Sequence, residues 1–246
     1  MRLAIISDIH SNLPALEAVL ADIDAAKPEE IWCLGDVVGY GAEPNECTRL
    51  VAERCALCLA GNHDLGVLDA IDVESFSPAA AEAALWTRGV LDADARDFLA
   101  GLEPADESRD VALYHASPRD HVWEYVLWPE QAAECIEIQA RRISIVGHSH
   151  VALCFRAPEN GAVGAAQGAQ AADGTTLALD SDRWLLNPGS VGQPRDGDRR
   201  AAWLELDTEK WTGTFRRAEY EIERAAASIA AAGLPEHLGR RLFVGQ

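Results

Sequence analysis

Seven residues of the types that ligate divalent cations fall at five places along the chain, each just after a short apolar run. Asp8 and His10 follow Leu3–Ser7, and Asp36 follows Ile31–Leu34. Asn62, with His63 and Asp64 beside it, follows Cys55–Ala60. His115 follows Val111–Tyr114, and His148 and His150 follow Ile143–Val146. Carboxylate, imidazole and amide oxygen suit hard or borderline ions such as Mn²⁺, Fe²⁺, Zn²⁺ or Mg²⁺. No cysteine joins the set, so a thiolate zinc site is not implied. Five of the seven histidines of the chain are at these positions, and only His121 and His237 are left out. Taken singly, each residue has an ordinary reading: an Asp at a strand end caps a helix, and a lone His is a satisfied core or surface group. Five successive strand ends carrying such residues are much harder to explain that way.

Spacing adds to the case. Asp8 and His10 are two residues apart, as are His148 and His150. If each segment is extended, both members of a pair project to one side. Gly35, Gly61 and Gly147 stand immediately before ligand candidates, where a sharp turn beside a crowded site favours glycine. Glycine also ends strands for no functional reason, so this support is modest.

The elements that must position these residues are read from periodicity. The five runs are strand-length and apolar throughout, as strands covered on both faces are. Between them lie helical patterns. In NLPALEAVLADIDAA, Leu13, Leu16, Leu20 and Ile23 share one face, with Ser11 or Asn12 as cap and Pro14 in the first turn. Further helices are predicted over 45–54, from Ser77-Pro78 onward, over 94–102 and over 129–140. Alternating strands and helices imply an α/β fold, with functional groups gathered beyond the carboxyl ends of the strands. After His150 the texture changes to hairpins, predicted over 151–156, 176–180, 184–187, 201–207 and 211–218 and forming a second sheet. Residues 161–174 read as a Gly/Ala-rich loop and 223–232 as a closing helix. No linker divides the chain, so residues 1–246 are expected to form one domain.

The bulk numbers limit the partners. The chain has 246 residues and a formal net charge of −19. Such a field repels a long anionic polymer, so no stable nucleic-acid complex is expected. A small phosphate ester is not excluded, because bound cations reverse the local sign. No run approaches the ~18 apolar residues of a membrane span, and Asp8 cuts short any signal-peptide core in MRLAIISD. A cytoplasmic location with free thiols is the expectation for the six cysteines. Cys55 and Cys58 form a CxxC, but they sit in the apolar run CALCLA with no second CxxC; a buried strand is the better reading than a zinc or redox site.

The motifs DIH, GDVVGYG, GNHD, a strand-end His and GHSH, in this order, resemble the calcineurin-like metallophosphoesterases. The resemblance covers residues 3–150 closely. It continues into LLNPGSVGQPRDGD, which is similar to the closing segment of the small bacterial and archaeal phosphodiesterase branch. It implies a four-layer α-β-β-α sandwich of two mixed β-sheets flanked by helices. It also implies two divalent metal ions, Mn first among the candidates, with Fe, Zn, Ni or Mg as others. Asp8, His10, Asp36 and His150 would hold the first ion, with Asp36 bridging. Asn62, His115 and His148 would complete the second site. His63 matches the catalytic His that faces the leaving group, and Asp64 would orient it. Two such ions ~3.5–4 Å apart clamp a phosphoryl group and lower the pKa of water from about 15.7 toward about 7, and the hydroxide so formed attacks phosphorus in line.

One departure bears on the substrate. Relatives that act on phosphoproteins or dinucleoside tetraphosphates carry Arg in a GDxxDRG motif, and Tyr40 stands there in this chain. Such an Arg grips phosphate in bidentate fashion, so its loss favours a phosphodiester, unless Arg119 or Arg195 supplies the grip. A phosphomonoester or dinucleoside polyphosphate is the alternative on the same site. A binding scaffold that kept the fold and lost catalysis, as the retromer subunit of this superfamily has, would lack the leaving-group His or several ligands; here all are present. Residues 187–192 (NPGSVG) could orient a ligand or simply be a tight turn. His121, Trp123, Tyr125 and Trp128 could form a lid, and core or subunit contact is slightly favoured. Oligomeric state is open.

Overall fold

The computed structural model describes residues 1–158 and 166–246. β1 (Arg2–Ile6), β2 (Glu30–Cys33) and β3 (Leu57–Cys58) pair in parallel. β11 (Ala201–Asp207) joins the other side of β1, followed by β12 (Thr212–Ala218) and β9 (Thr176–Ala178), all antiparallel. The second mixed sheet has the order β4 (Ala105–Asp106), β5 (Ala112–Tyr114), β6 (Ile143–Val146), β10 (Arg183–Pro188), β7 (Ala152–Ala157), β8 (Gln167–Gln170).

The apolar runs lack alternation because both faces of each strand are covered. In β1, Leu3 and Ile5 pack between the sheets with Trp32, Leu186, Leu204 and Phe215. Ala4 and Ile6 face the other way, toward Leu16, Leu20 and Val51, which belong to α1 (Leu13–Ala26) and α2 (Pro44–Arg54). On the second sheet, Tyr114, Val146 and Phe155 pack under α6 (Pro129–Ile138) through Ala132, Cys135 and Ile136. The result is helices, sheet, sheet, helix, as the resemblance implies. A further cluster joins α4 (Pro78–Val90), α7 (Ile222–Ala231) and α8 (Glu236–Arg240) around Tyr40.

Several boundaries differ from the sequence expectation. That of α1 agrees with it: Asn12, one of the two cap candidates, accepts from Ala15 N at 3.2 Å. The third run contributes only two strand residues, because the chain turns at once into α3 (Asn62–Val67), which carries the GNHD ligand. The loop expected over 161–174 is partly a strand. Gln167–Gln170 pairs with β7, and all four of its residues are exposed, so no apolar alternation marks it. Residues 161–165 of that expectation lie outside the described residues. α8 has no counterpart in the sequence reading. Among the described residues no helix is long and apolar enough to cross a membrane. The six cysteines are free thiols. A hydrogen bond with Cys33 and burial push the Cys58 thiol up, and burial does the same to Cys55, which disfavours the thiolate.

Candidate metal centre

The five strand ends meet at one rim, but not by extended backbone. Asp8, His10, Asp36, His148 and His150 all have φ between 51° and 62°. Left-handed backbone costs a non-glycine residue ~1–2 kcal/mol, so the surrounding bonds must hold it. They are present: Asp8 N donates to Gly35 O (3.0 Å), His10 N to Asp36 O (2.9 Å) and Ser11 N to Val37 O (2.9 Å). The paired ligands thus point inward for a different reason from strand alternation. Of the glycines, Gly35 does take a positive φ of 96°. Gly61 does not; it is needed because a Cβ there would lie 2.0 Å from Asp36 Oδ1.

The side chains form two overlapping groups of potential ligands, Asp8, His10, Asp36 and His150 in one, Asp36, His115 and His148 in the other. All six are buried. Asp36 Oδ2 lies 3.5 Å from Nε2 of both His10 and His115. That oxygen is buried and accepts no hydrogen bond. Asn62 Oδ1 sits 3.2 Å from His115 Nε2, which puts it with the second group. His150 Nε2 is 3.4 Å from Asp8 Oδ1 and 3.0 Å from His10 Nε2.

Each imidazole is aimed by its other nitrogen. His10 Nδ1 pairs with Val38 O (3.1 Å), His115 Nδ1 with Leu34 O (2.9 Å) and His150 Nδ1 with Gln193 O (2.7 Å). His148 is turned round: its Nε2 pairs with Trp123 O at 3.2 Å, leaving Nδ1 as its inward lone pair. A ring N–H fixed on a carbonyl sets the tautomer that leaves the opposite nitrogen able to ligate. Burial drives the charges the same way. It pushes the Asp8 carboxyl up to about 7 and Asp36 well up, and pushes His10, His148 and His150 well down. A buried carboxylate oxygen without a donor is costly, and the donor set is nitrogen and oxygen only. These residues fit divalent cations, with Asp36 common to both groups.

The segment 187–193 orients ligands. Asn187 Nδ2 donates to Gly147 O (2.7 Å) and Ser149 Oγ (3.0 Å), tying down GHSH. Ser190 Oγ and Gly192 N donate to Asp8 O at 2.8 and 2.9 Å. Gln193 O accepts from His150, as given above.

His63 lies beside the cage. Its ring is 4.8 Å from that of His10 and 4.9 Å from Phe76, and burial, then Arg195 and His115, hold it down to about 3. Asp64 does not orient the ring, contrary to the expectation. Its two oxygens accept from Val38 N (3.1 Å) and Gly61 N (2.9 Å), while His63 Nδ1 has no partner. Asp64 instead ties the GDVVG loop to the start of α3. The main chain of His63 is fixed by Asp36 Oδ1, which accepts from its N–H at 2.8 Å.

The cage opens into a cavity of about 330 Å³. Phe76, Trp123 and Tyr125 form an aromatic part of its rim, and Arg195 and Arg241 a cationic part. Tyr125 stacks on His148 at 4.2 Å. The aromatic group 121–128 therefore divides: Trp123 and Tyr125 line the cavity, His121 packs by Tyr114, and Trp128 is exposed. Of the two arginines considered from sequence, Arg119 is engaged by Glu124 and Glu134. Arg195 reaches the cavity, with Nη2 3.4 Å from Tyr40 Oη and 2.8 Å from Gln193 Oε1. Sequence reasoning missed Arg241 and Phe76, which carry no motif.

The calcineurin-like phosphoesterase superfamily domain matches residues 1–209. An uncharacterized protein of Methanocaldococcus jannaschii is 40% identical over 250 residues, covering 99% of this chain and 98% of that protein. The crystal structure of a metallophosphoesterase from Sphaerobacter thermophilus superposes with a TM-score of 0.88 at 39% identity, covering 100% of this chain and 99% of that one. A hypothetical protein from Pyrococcus horikoshii shares the fold, with a TM-score of 0.78 at 17% identity over 100% and 98% of the two chains.

Proposed function

The chain belongs to the calcineurin-like phosphoesterase superfamily, and from that premise we propose that it hydrolyses phosphodiesters with two divalent ions sharing Asp36. The observation that carries this is the Oδ2 atom of Asp36, buried, without a hydrogen-bond donor, and equidistant from one imidazole of each ligand group. When bound, the ions supply positive charge to the phosphoryl oxygens and a water acidic enough to attack near neutral pH.

The protein's own residues do the rest. Asp8, His10, Asp36 and His150 would hold one ion, and Asp36, Asn62, His115 and His148 the other. The ligand side chains are buried, so their charges act in a medium of low dielectric. His63, outside both groups, stabilises charge on the departing oxygen through a ring N–H. Such help is typically worth ~10²–10⁴-fold. Arg195 stands beside Tyr40, the residue that replaces the arginine of the GDxxDRG motif, so the missing guanidinium returns from another loop. Charge alone therefore no longer separates diesters from monoesters. The rim supports a diester, because its aromatic and cationic parts offer separate places for two substituents on one phosphorus.

The test is a paired assay with Mn²⁺ on bis-(4-nitrophenyl) phosphate and 4-nitrophenyl phosphate. Faster turnover of the diester is expected, and a strong monoester preference overturns the finer reading. His63→Gln should keep its metal by elemental analysis and lose most turnover on both. Metal loss in that variant would refute the role given to His63.

A further inference from the structure

The chain has 40 acidic and 21 basic residues, so an arginine finds a carboxylate easily. Arg217 does so with Asp196, and Arg200 with Asp198 and Asp173. The cavity over the cage is different. Arg195 and Arg241 both line it, and among the described residues the only carboxylate in its lining is the ligand Asp36. Arg195 donates to a phenol and an amide, and its buried Nε has no partner. Arg241 is held through Nε by a terminal oxygen of Gln246, the last residue of the sequence. Burial, and next the charge of Arg195, push the Arg241 guanidinium down from its usual range. Two like charges turned into one cavity repel, and an anion between them removes that repulsion.

Arg195 borders the cage, through Tyr40, whose ring is 4.7 Å from His10 and 4.4 Å from His63. It suits the phosphoryl group under attack. Arg241 reaches the same cavity from just after α8 and belongs to neither ligand group. We propose that Arg241, together with Arg195, forms a subsite for a second phosphate, and that the substrates are phosphate esters carrying another phosphate close to the scissile one. This rests on the phosphoesterase reading above. Guanidinium groups suit the purpose because their paired N–H donors match phosphate oxygens.

The experiment compares two esters that differ only in that phosphate, using the full chain loaded with Mn²⁺. They are thymidine 5′-(4-nitrophenyl phosphate) and its 3′-phosphorylated form. The expected ratio of kcat/KM favours the 3′-phosphorylated ester by ~10-fold or more. In Arg241→Ala and Arg241→Gln that ratio falls to about one, and Arg241→Lys keeps part of it. A ratio taken within one preparation cancels any loss of folded protein. A wild-type ratio of one or less, or a ratio unchanged in both variants, overturns the subsite. If the wild type hydrolyses neither ester, the phosphoesterase reading fails instead. The subsite is then judged by calorimetric binding of thymidine 3′,5′-bisphosphate against thymidine 5′-monophosphate, equal affinities overturning it.

Discussion

The ligand cage and the rim above it are a few ångströms apart and are built on opposite principles. In the cage every imidazole has its second nitrogen on a main-chain oxygen, and five ligand residues are held in left-handed backbone. The rim is made of side chains from distant segments: Phe76 and Trp123 meet edge to face at 5.3 Å, and Arg195 rests on Tyr40. Backbone bonds cannot drift without unfolding a loop, whereas side chains can be exchanged one at a time. The cage is thus built to keep one chemistry and the rim to choose what enters.

The comparison breaks most visibly at Asp36. Its carboxylate serves both ligand groups and also accepts from His63 N. Asp36→Asn should lose metal from both groups and reduce turnover by at least ~10³-fold, since the ions supply most of the charge stabilisation. Elemental analysis beside the assay checks it. Retention of a full metal complement would show that the two groups do not depend on a shared carboxylate.

The cage was legible in the sequence and the rim only in part: Trp123, Tyr125 and Arg195 were candidates, Phe76 and Arg241 were not. Apolar runs of strand length end abruptly in Asp, Asn or His, and a sheet collects its strand ends on one side. The spacing of Asp8 and His10 predicted convergence, yet the residues converge through positive φ rather than through extended alternation, which pattern alone does not distinguish. Asp64 shows a second limit. GNHD places it beside His63, but the backbone amides of Val38 and Gly61 take both its oxygens. Arg241 lay beyond reach altogether. It is brought to the cavity by the packing of Leu238 and Leu242 against Tyr40, a contact about 200 residues long in sequence that no local spacing encodes. The exposed strand Gln167–Gln170 was missed because it has no buried face to impose a pattern.

A smaller effect should separate the two regions at Arg195. Truncating it keeps the bond from its main-chain N to His150 O at 3.0 Å, and its side chain meets the cage indirectly, through Tyr40 and the Gln193 side chain. Arg195→Ala should keep both metals and lower kcat/KM by ~10–10²-fold, the scale of a charge-assisted contact to phosphate. Arg195→Lys should recover part of the loss. If Arg195→Ala lost metal instead, the rim would have to be counted as part of the cage.

The smallest effect falls on a residue that belongs to both regions. The main-chain oxygen of Trp123 accepts from His148 Nε2, and its indole belongs to the rim against Phe76. Trp123→Ala removes the indole and keeps the carbonyl, so it cuts between the two regions within a single residue. Metal content should stay unchanged. KM should rise ~2–10-fold for esters with an aromatic leaving group, the range expected from losing an aromatic contact of about 0.5–1.5 kcal/mol. For methyl esters of the same phosphoryl group KM should barely move, because a methyl group is too small to pack on the indole. An equal rise for methyl and aromatic esters would mean that the side chain acts through His148, and that the division between a fixed cage and an adjustable rim fails at this position.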